Sequence, residues 1–235
     1  MMQHERPFAD YEFSLLATML ADRFVQRWDL HARQLDDGRY LCIHQRLKDG
    51  YLLVHLRVEI TLGIYLLNPQ SEARFIVFDA DDPKQFSDLT SLARTLEAEA
   101  VPTYLEKSRR GGHLWLFFSE SVSGSLAREF GQGVLTLHGI EGMELFPKQD
   151  RLTDGPGLLI RMPFGVHRRS SQRYGFINPD GEQIAPTLRQ QLQIFSTLQI
   201  VPEAAFDAYR TCVPLQPKKQ ILSHWRDRET WFRNA

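Results

Sequence analysis

Arg74-Phe75-Ile76-Val77-Phe78-Asp79-Ala80-Asp81-Asp82-Pro83 is the stretch from which the fold is read. Its apolar run, Arg74 to Phe78, is too continuous for a half-buried strand and predicts a central strand covered on both faces. The run ends in aspartates at i and i+2, which a strand turns to one face with Cβ atoms roughly 6 to 7 Å apart. Asp82-Pro83 then predicts a helix start, with the aspartate as N-cap and proline where a backbone N–H is not needed. Phe86, Leu89, Leu92 and Leu96 continue that helix at its own period.

Toward the N-terminus, Phe13, Leu16, Leu20, Phe24 and Val25 predict an amphipathic helix within Asp10 to Trp28. Arg39 to Gln45 and Tyr51 to Val58 read as strands across a Lys48-Asp49-Gly50 turn. Toward the C-terminus, strands are expected at Thr103 to Glu106 and His113 to Phe118, joined by the polar turn Lys107-Ser108-Arg109-Arg110-Gly111-Gly112. A helix begins at Ser125 to Glu129, Glu144 to Phe146 reads as a strand, and Gly157 to Met162 reads as its hairpin partner. Helices follow at Thr187 to Gln199 and after Pro217. The sum is an α+β protein of antiparallel strands with helices packed to one side, without internal repeats or long linkers.

The 235 residues suffice for one sizeable core. Cys42 and Cys212 match no metal spacing and suit a reducing cytoplasm. The first ten residues carry no signal peptide pattern, and the apolar region Tyr51 to Leu67 is broken by His55, Arg57 and Glu59, so a soluble, membrane-free protein is expected. A formal net charge of -1 does not advertise nucleic-acid binding, so any such surface must be local. Lys148, Arg151, Arg161, Arg168, Arg169 and Arg173 stand among only two acids, Asp150 and Asp154. The segment Lys218 to Arg233, with Trp225, Trp231 and Phe232, is also basic. It reads either as a helix with a solvated face or as a DNA contact.

Asp79 and Asp81 have the spacing to share a pair of hard cations about 3.5 to 4 Å apart, for which oxygen donors suit Mg2+ or Mn2+. A solvated strand end followed by a helix cap is the plainer alternative. In Ser108-Arg109-Arg110-Gly111-Gly112-His113, glycine-turn amides form an anion nest, and serine, arginine and histidine add donors for phosphate. A histidine facing inward on a strand is also a common structural residue. Glu144, in Gly142-Met143-Glu144-Leu145-Phe146-Pro147-Lys148-Gln149, is the candidate third carboxylate, with Glu141 its nearest competitor. The segment Leu158 to Arg169 would bring Arg161, His167, Arg168 and Arg169 behind the acids, as counter-charge for a triphosphate or as ordinary surface cations.

Taken in order, apolar-Asp-x-Asp, Ser-x-x-Gly-Gly-His, Glu-Leu-Phe-Pro-Lys-Gln and the Arg/Pro/His/Arg return segment resemble the archaeo-eukaryotic primase superfamily. The resemblance is nearest to bacterial primase-polymerases of conflict systems and CRISPR adaptation loci, and it spans at least Val54 to Arg173. It implies an N-terminal α/β module (about 1–75), an RNA-recognition-like catalytic sheet (about 76–185) and a C-terminal helical segment (about 186–235) forming one catalytic core. It further implies that Asp79, Asp81 and Glu144 bind two Mg2+ or Mn2+ ions, and that Ser108, Arg110, His113, Lys148, Arg161 and Arg168 bind the incoming nucleotide. Many members place the serine where this chain has Gly111, and an aspartate where it has Glu144. The implied reaction is template-directed nucleotidyl transfer, with NTPs or dNTPs, single-stranded DNA template and primer as partners. CRISPR adaptation or other defence proteins are further candidate partners, and the chain is expected to be a monomer. Two rivals are an Asp-x-Asp nucleotide-sugar glycosyltransferase and an RNA-recognition-like binding module stacking bases on Tyr104, Trp115 and Phe117.

Overall fold

A computed structural model describes residues 10–212, with side chains from residue 14 onward. The elements in order are α1 (Asp10–Phe24), β1 (His31–Gln34), β2 (Tyr40–Ile43), α2 (Asp49–Leu56), β3 (Leu62–Tyr65), β4 (Glu72–Ala80), α3 (Pro83–Ala98), β5 (Tyr104–Lys107), β6 (Gly112–Ser123), α4 (Gly124–Leu137), β7 (Glu144–Phe146), β8 (Leu159–Arg161), β9 (Val166–His167), β10 (Gln172–Arg173), β11 (Phe176–Ile177), α5 (Leu188–Ser196) and α6 (Glu203–Thr211). The helix expected after Pro217 and the basic aromatic segment Lys218 to Arg233 lie outside the described residues.

An antiparallel five-stranded sheet, ordered β11-β5-β6-β4-β7, has the predicted apolar strand β4 near its middle. Alternation sends Phe75, Val77, Trp115 and Phe117 to one face and Ile76, Phe78, Leu114 and Leu116 to the other, and all eight are buried. Each such side chain contributes on the order of 1.5 to 3 kcal/mol when removed from water, so both faces require cover. The first face meets Leu20 and Phe24 of α1, Leu52 of α2 and Phe195 of α5. The second meets Leu89 and Leu96 of α3, Phe130 and Val134 of α4, and Tyr209 of α6. Helices therefore cover both faces rather than one side. Helix α3 starts as its sequence requires, with the Asp82 side chain accepting from the Gln85 N–H at 2.9 Å.

A second antiparallel sheet, ordered β2-β1-β3-β8, contributes Leu62, Ile64 and Ile160 to the first-face core. Two expectations change here. The segment expected as a strand from Tyr51 to Val58 is helical as far as Leu56, because Leu52, His55 and Leu56 bury one face at helical spacing and Asp49 sits favourably in the first turn. The segment Gly157 to Met162 does supply a strand, but β8 pairs with β3, whereas β7 pairs with β4. Ile160 is thereby buried in the common core. Among the described residues no helix is long and apolar enough to cross a membrane.

Candidate active site

Register alone assembles a polar row across the C-terminal end of β4. Asp79 is paired with His113 on β6 and with Glu144 on β7, and His113 is paired with Glu106 on β5. Side chains of directly opposed residues share a face, with Cα atoms about 4.5 to 5.5 Å apart. Glu106, His113, Asp79 and Glu144 thus continue, at the rim, the face that farther along the strands carries Trp115, Val77 and Phe146. Asp81 follows one residue beyond the strand.

Beside this row lies a cleft of about 310 Å³, lined by residues of both sheets and of the β5–β6 turn. Asp79, Asp81, Ser108, Arg110, His113 and Arg161 of the predicted set line it. Glu144, Lys148 and Arg168 do not. Glu144 is the cross-strand neighbour of Asp79 at the cleft's flank, where its carboxylate accepts from Lys148 Nζ at 2.6 Å. The Arg168 guanidinium donates to the Val58 carbonyl at 3.3 Å, so β9 presents His167 to the cleft instead. Gln34, Tyr40 and Arg109 complete much of the wall.

Two ion pairs set the electrostatics of the mouth: Arg110 Nη2 to Asp81 Oδ1 at 3.0 Å, and Lys148 to Glu144. All four side chains are at least 40% exposed, and exposed pairs of this kind contribute about 0 to 1 kcal/mol, so their partners exchange readily. Deeper in, burial pushes the Asp79 carboxyl above its usual range; His113, whose Nε2 lies 3.4 Å from Oδ1, opposes the shift, and the Asp81, Glu144 and Glu106 charges add to it. Burial also raises Glu106, but the Arg161 and His113 charges and hydrogen bonds outweigh it and hold the carboxyl below the ordinary value.

Glu106 is one residue that sequence reading missed. Fully buried, it accepts from Arg161 Nη2 at 2.6 Å, His113 Nδ1 at 2.8 Å and Trp115 Nε1 at 3.2 Å. The available signal was alternation: a tight Lys107–Gly112 turn places Glu106 opposite His113, and a carboxylate beside a buried tryptophan requires a cation. Tyr40 was missed too, whereas His167 stands near the acids as expected; Tyr40 Oη and His167 Nδ1 are buried atoms without a hydrogen-bond partner among the described residues, and both belong to residues of the cleft wall.

Among the described residues no group of three or more His, Cys, Asp or Glu side chains is gathered as a metal site, because Asp81 and Glu144 are turned to Arg110 and Lys148. The donor set nevertheless fits a hard divalent cation. Its carboxylates are adjacent, and Asp79 is desolvated amid other negative charges that a cation would offset. Trp115 and Phe117 are buried in the core, which leaves neither free to stack on bases.

The two sheets, their helical layers and the cleft define an archaeo-eukaryotic primase fold. The chain belongs to the family described as the archaeo-eukaryotic primase domain of the TOTE conflict system, whose family model matches residues 22–209. It is a family of primases and nucleotidyltransferases. Similar solved structures include the cyanophage S-2L primase-polymerase AEP domain, at 16% identity and TM-score 0.43 over 79% of this chain and 98% of that one. The catalytic domain of primase RepB', solved with initiator DNA, shows 10% identity and TM-score 0.42 over 79% and 94%. The polymerase domain of Mycobacterium tuberculosis ligase D, solved with DNA, shows 13% identity and TM-score 0.36 over 86% and 85%. No curated protein matches the chain.

Proposed function

We propose that this cleft transfers a nucleoside monophosphate from an NTP or dNTP to the 3'-hydroxyl of a primer, or to a second nucleotide, under direction of a single-stranded DNA template. The 3'-oxygen forms a bond to the α-phosphorus, the bond from that phosphorus to the β-phosphate oxygen breaks, pyrophosphate leaves and the hydroxyl proton passes to solvent. The observation that supports this most is the row Glu106-His113-Asp79-Glu144 beside a glycine turn bearing Ser108 and Arg110. It sets the turn's candidate phosphate donors near two carboxylates on adjacent strands, Asp79 and Glu144.

Asp79, Asp81 and Glu144 would hold two Mg2+ or Mn2+ ions. Bound there, such ions offset charge on the attacking and leaving oxygens. The chain's own donors take the phosphates: Ser108, the turn amides, His113 and Arg110 within the cleft, and Lys148 from its flank. Release of Arg110 from Asp81, and of Lys148 from Glu144, frees cation and carboxylate together. Arg161 stays bound to Glu106 and acts through its field. Arg168, held at Val58 outside the cleft wall, is assigned no phosphate.

The test is incorporation of labelled nucleotides on primed and unprimed single-stranded DNA with Mg2+, Mn2+ or chelator. The Asp79→Ala/Asp81→Ala variant should lose at least about a hundredfold in rate at an unchanged melting temperature. Incorporation retained by that folded variant, or undiminished by chelator, refutes the assignment.

A further inference from the structure

Glu106 is fully buried and does not line the cleft, yet three donors from two sheets converge on it. Arg161 reaches it from β8 of the second sheet, and His113 and Trp115 reach it from β6 of the first. The Arg161 guanidinium, 2.6 Å away, keeps Glu106 ionised, and an ionised carboxylate only accepts. His113 must therefore direct an Nδ1 proton at it, and the opposite ring edge, Nε2, is fixed toward Asp79 and the cleft. With 0% of its side chain exposed, Glu106 exchanges none of these bonds with water.

We propose that Glu106 is a positioning residue for nucleotide binding: its carboxylate accepts from Nδ1 and fixes the orientation of His113, whose Nε2 edge, carrying the second ring proton when it donates to a phosphate, faces the cleft, while tying that strand to Arg161 of the facing sheet. The proposal rests on the reading of His113 as a phosphate-binding residue. Without the carboxylate the imidazole is free to turn, and the Nε2 edge is no longer presented.

The experiment uses the full chain and two readouts. In long-range 15N–1H spectra of the imidazoles, with His113 assigned by its loss in His113→Asn, native Nδ1 should be protonated and Glu106→Gln should move it toward the unprotonated range. An unprotonated Nδ1 in the native protein overturns the proposal even where the variant fails to fold, as does an Nδ1 unchanged in a folded Glu106→Gln. The second readout is the affinity for dATP with Mg2+ and without DNA, by calorimetry. Glu106→Gln and His113→Asn should each weaken it about tenfold or more, the loss expected for a charge-assisted hydrogen bond. The double variant should be no weaker than His113→Asn alone, because Glu106 acts through His113. Losses that multiply would show Glu106 acting by another route and overturn the proposal. If His113→Asn alone leaves dATP affinity intact, the phosphate role of His113 fails, and the spectra still decide whether Glu106 positions the ring.

Discussion

Gly111 offers a direct test of whether the β5–β6 turn and the two aspartates work as one site. A Cβ built at Gly111 would lie 2.0 Å from the Ala80 carbonyl oxygen and 2.7 Å from its carbon. Ordinary contact begins near 3.4 Å, so turn and strand must part by the difference from 2.0 Å, about 1.4 Å. Neither side yields easily. Ala80 is held in register opposite Gly112, and the turn is closed by the Ser108 N–H donating to the Gly111 carbonyl at 2.9 Å. Ala80 sits between Asp79 and Asp81, and the turn carries Ser108 and Arg110, so the displacement falls between the proposed metal and phosphate ligands. Overpacking of this kind costs about 1 to 3 kcal/mol, which lowers Tm by about 2 to 12 °C in a domain of this size. A misplacement of about 1 Å near reacting groups costs on the order of a hundredfold in rate. Gly111→Ala should therefore remain folded, melt a few degrees lower, and lose about a hundredfold in nucleotide incorporation. Gly50→Ala, in helix α2 with nothing within 4 Å of the added carbon, is the control and should match the native chain in incorporation and melt no lower. A Gly111→Ala protein with native Tm and incorporation within twofold of native would refute the close approach and the shared site.

His55 predicts an acid limb in stability. Its ring is fully buried, with Nε2 donating to the Pro163 carbonyl at 2.9 Å and Nδ1 accepting from the Leu62 N–H at 3.1 Å, and burial lowers its pKa to about 4 from 6.5. The unfolded chain takes the proton first as pH falls, so this contribution is complete above about pH 6.5 and is lost toward pH 4, amounting to about 3 kcal/mol. His55→Gln keeps one donor and one acceptor but cannot titrate, and urea titrations should show its stability to be flatter than native over that window; equal slopes would contradict the burial. Tyr40→Phe removes a buried hydroxyl that has no partner among the described residues and should raise stability by about 1 kcal/mol, or Tm by about 2 to 4 °C. A Tm below native would mean that the hydroxyl is satisfied in the free protein.

Legibility followed the range of the interactions involved. Strand β4 and helix α3 were readable because apolar run, N-cap and proline are local and agree with one another. Helix α2 was hidden because no side chain caps it at Lys48, and the chain leaves it through Val58 at φ 61° with no glycine to mark the end. Its eight residues are apolar on several sides, so neither the helical nor the strand period stood out. Strand β8 was visible as a strand but not as a partner, since its register with β3 joins segments far apart in the chain and leaves no local trace.

The candidate site divides along the same line. Asp79, Asp81, Ser108, Arg110 and His113 lie in two short motifs brought together by one β4–β6 pairing, so knowing the motifs came close to knowing the cleft. Arg161 enters from the other sheet, and Glu106 matters because of it. Removing one member of a buried ion pair costs about 3 to 5 kcal/mol, since the other charge stays behind unmatched. A carboxylate with no exposure therefore persists only where distant chain segments supply its counter-charge, and a lone glutamate on a four-residue strand carries no sign of that until both sheets are in place.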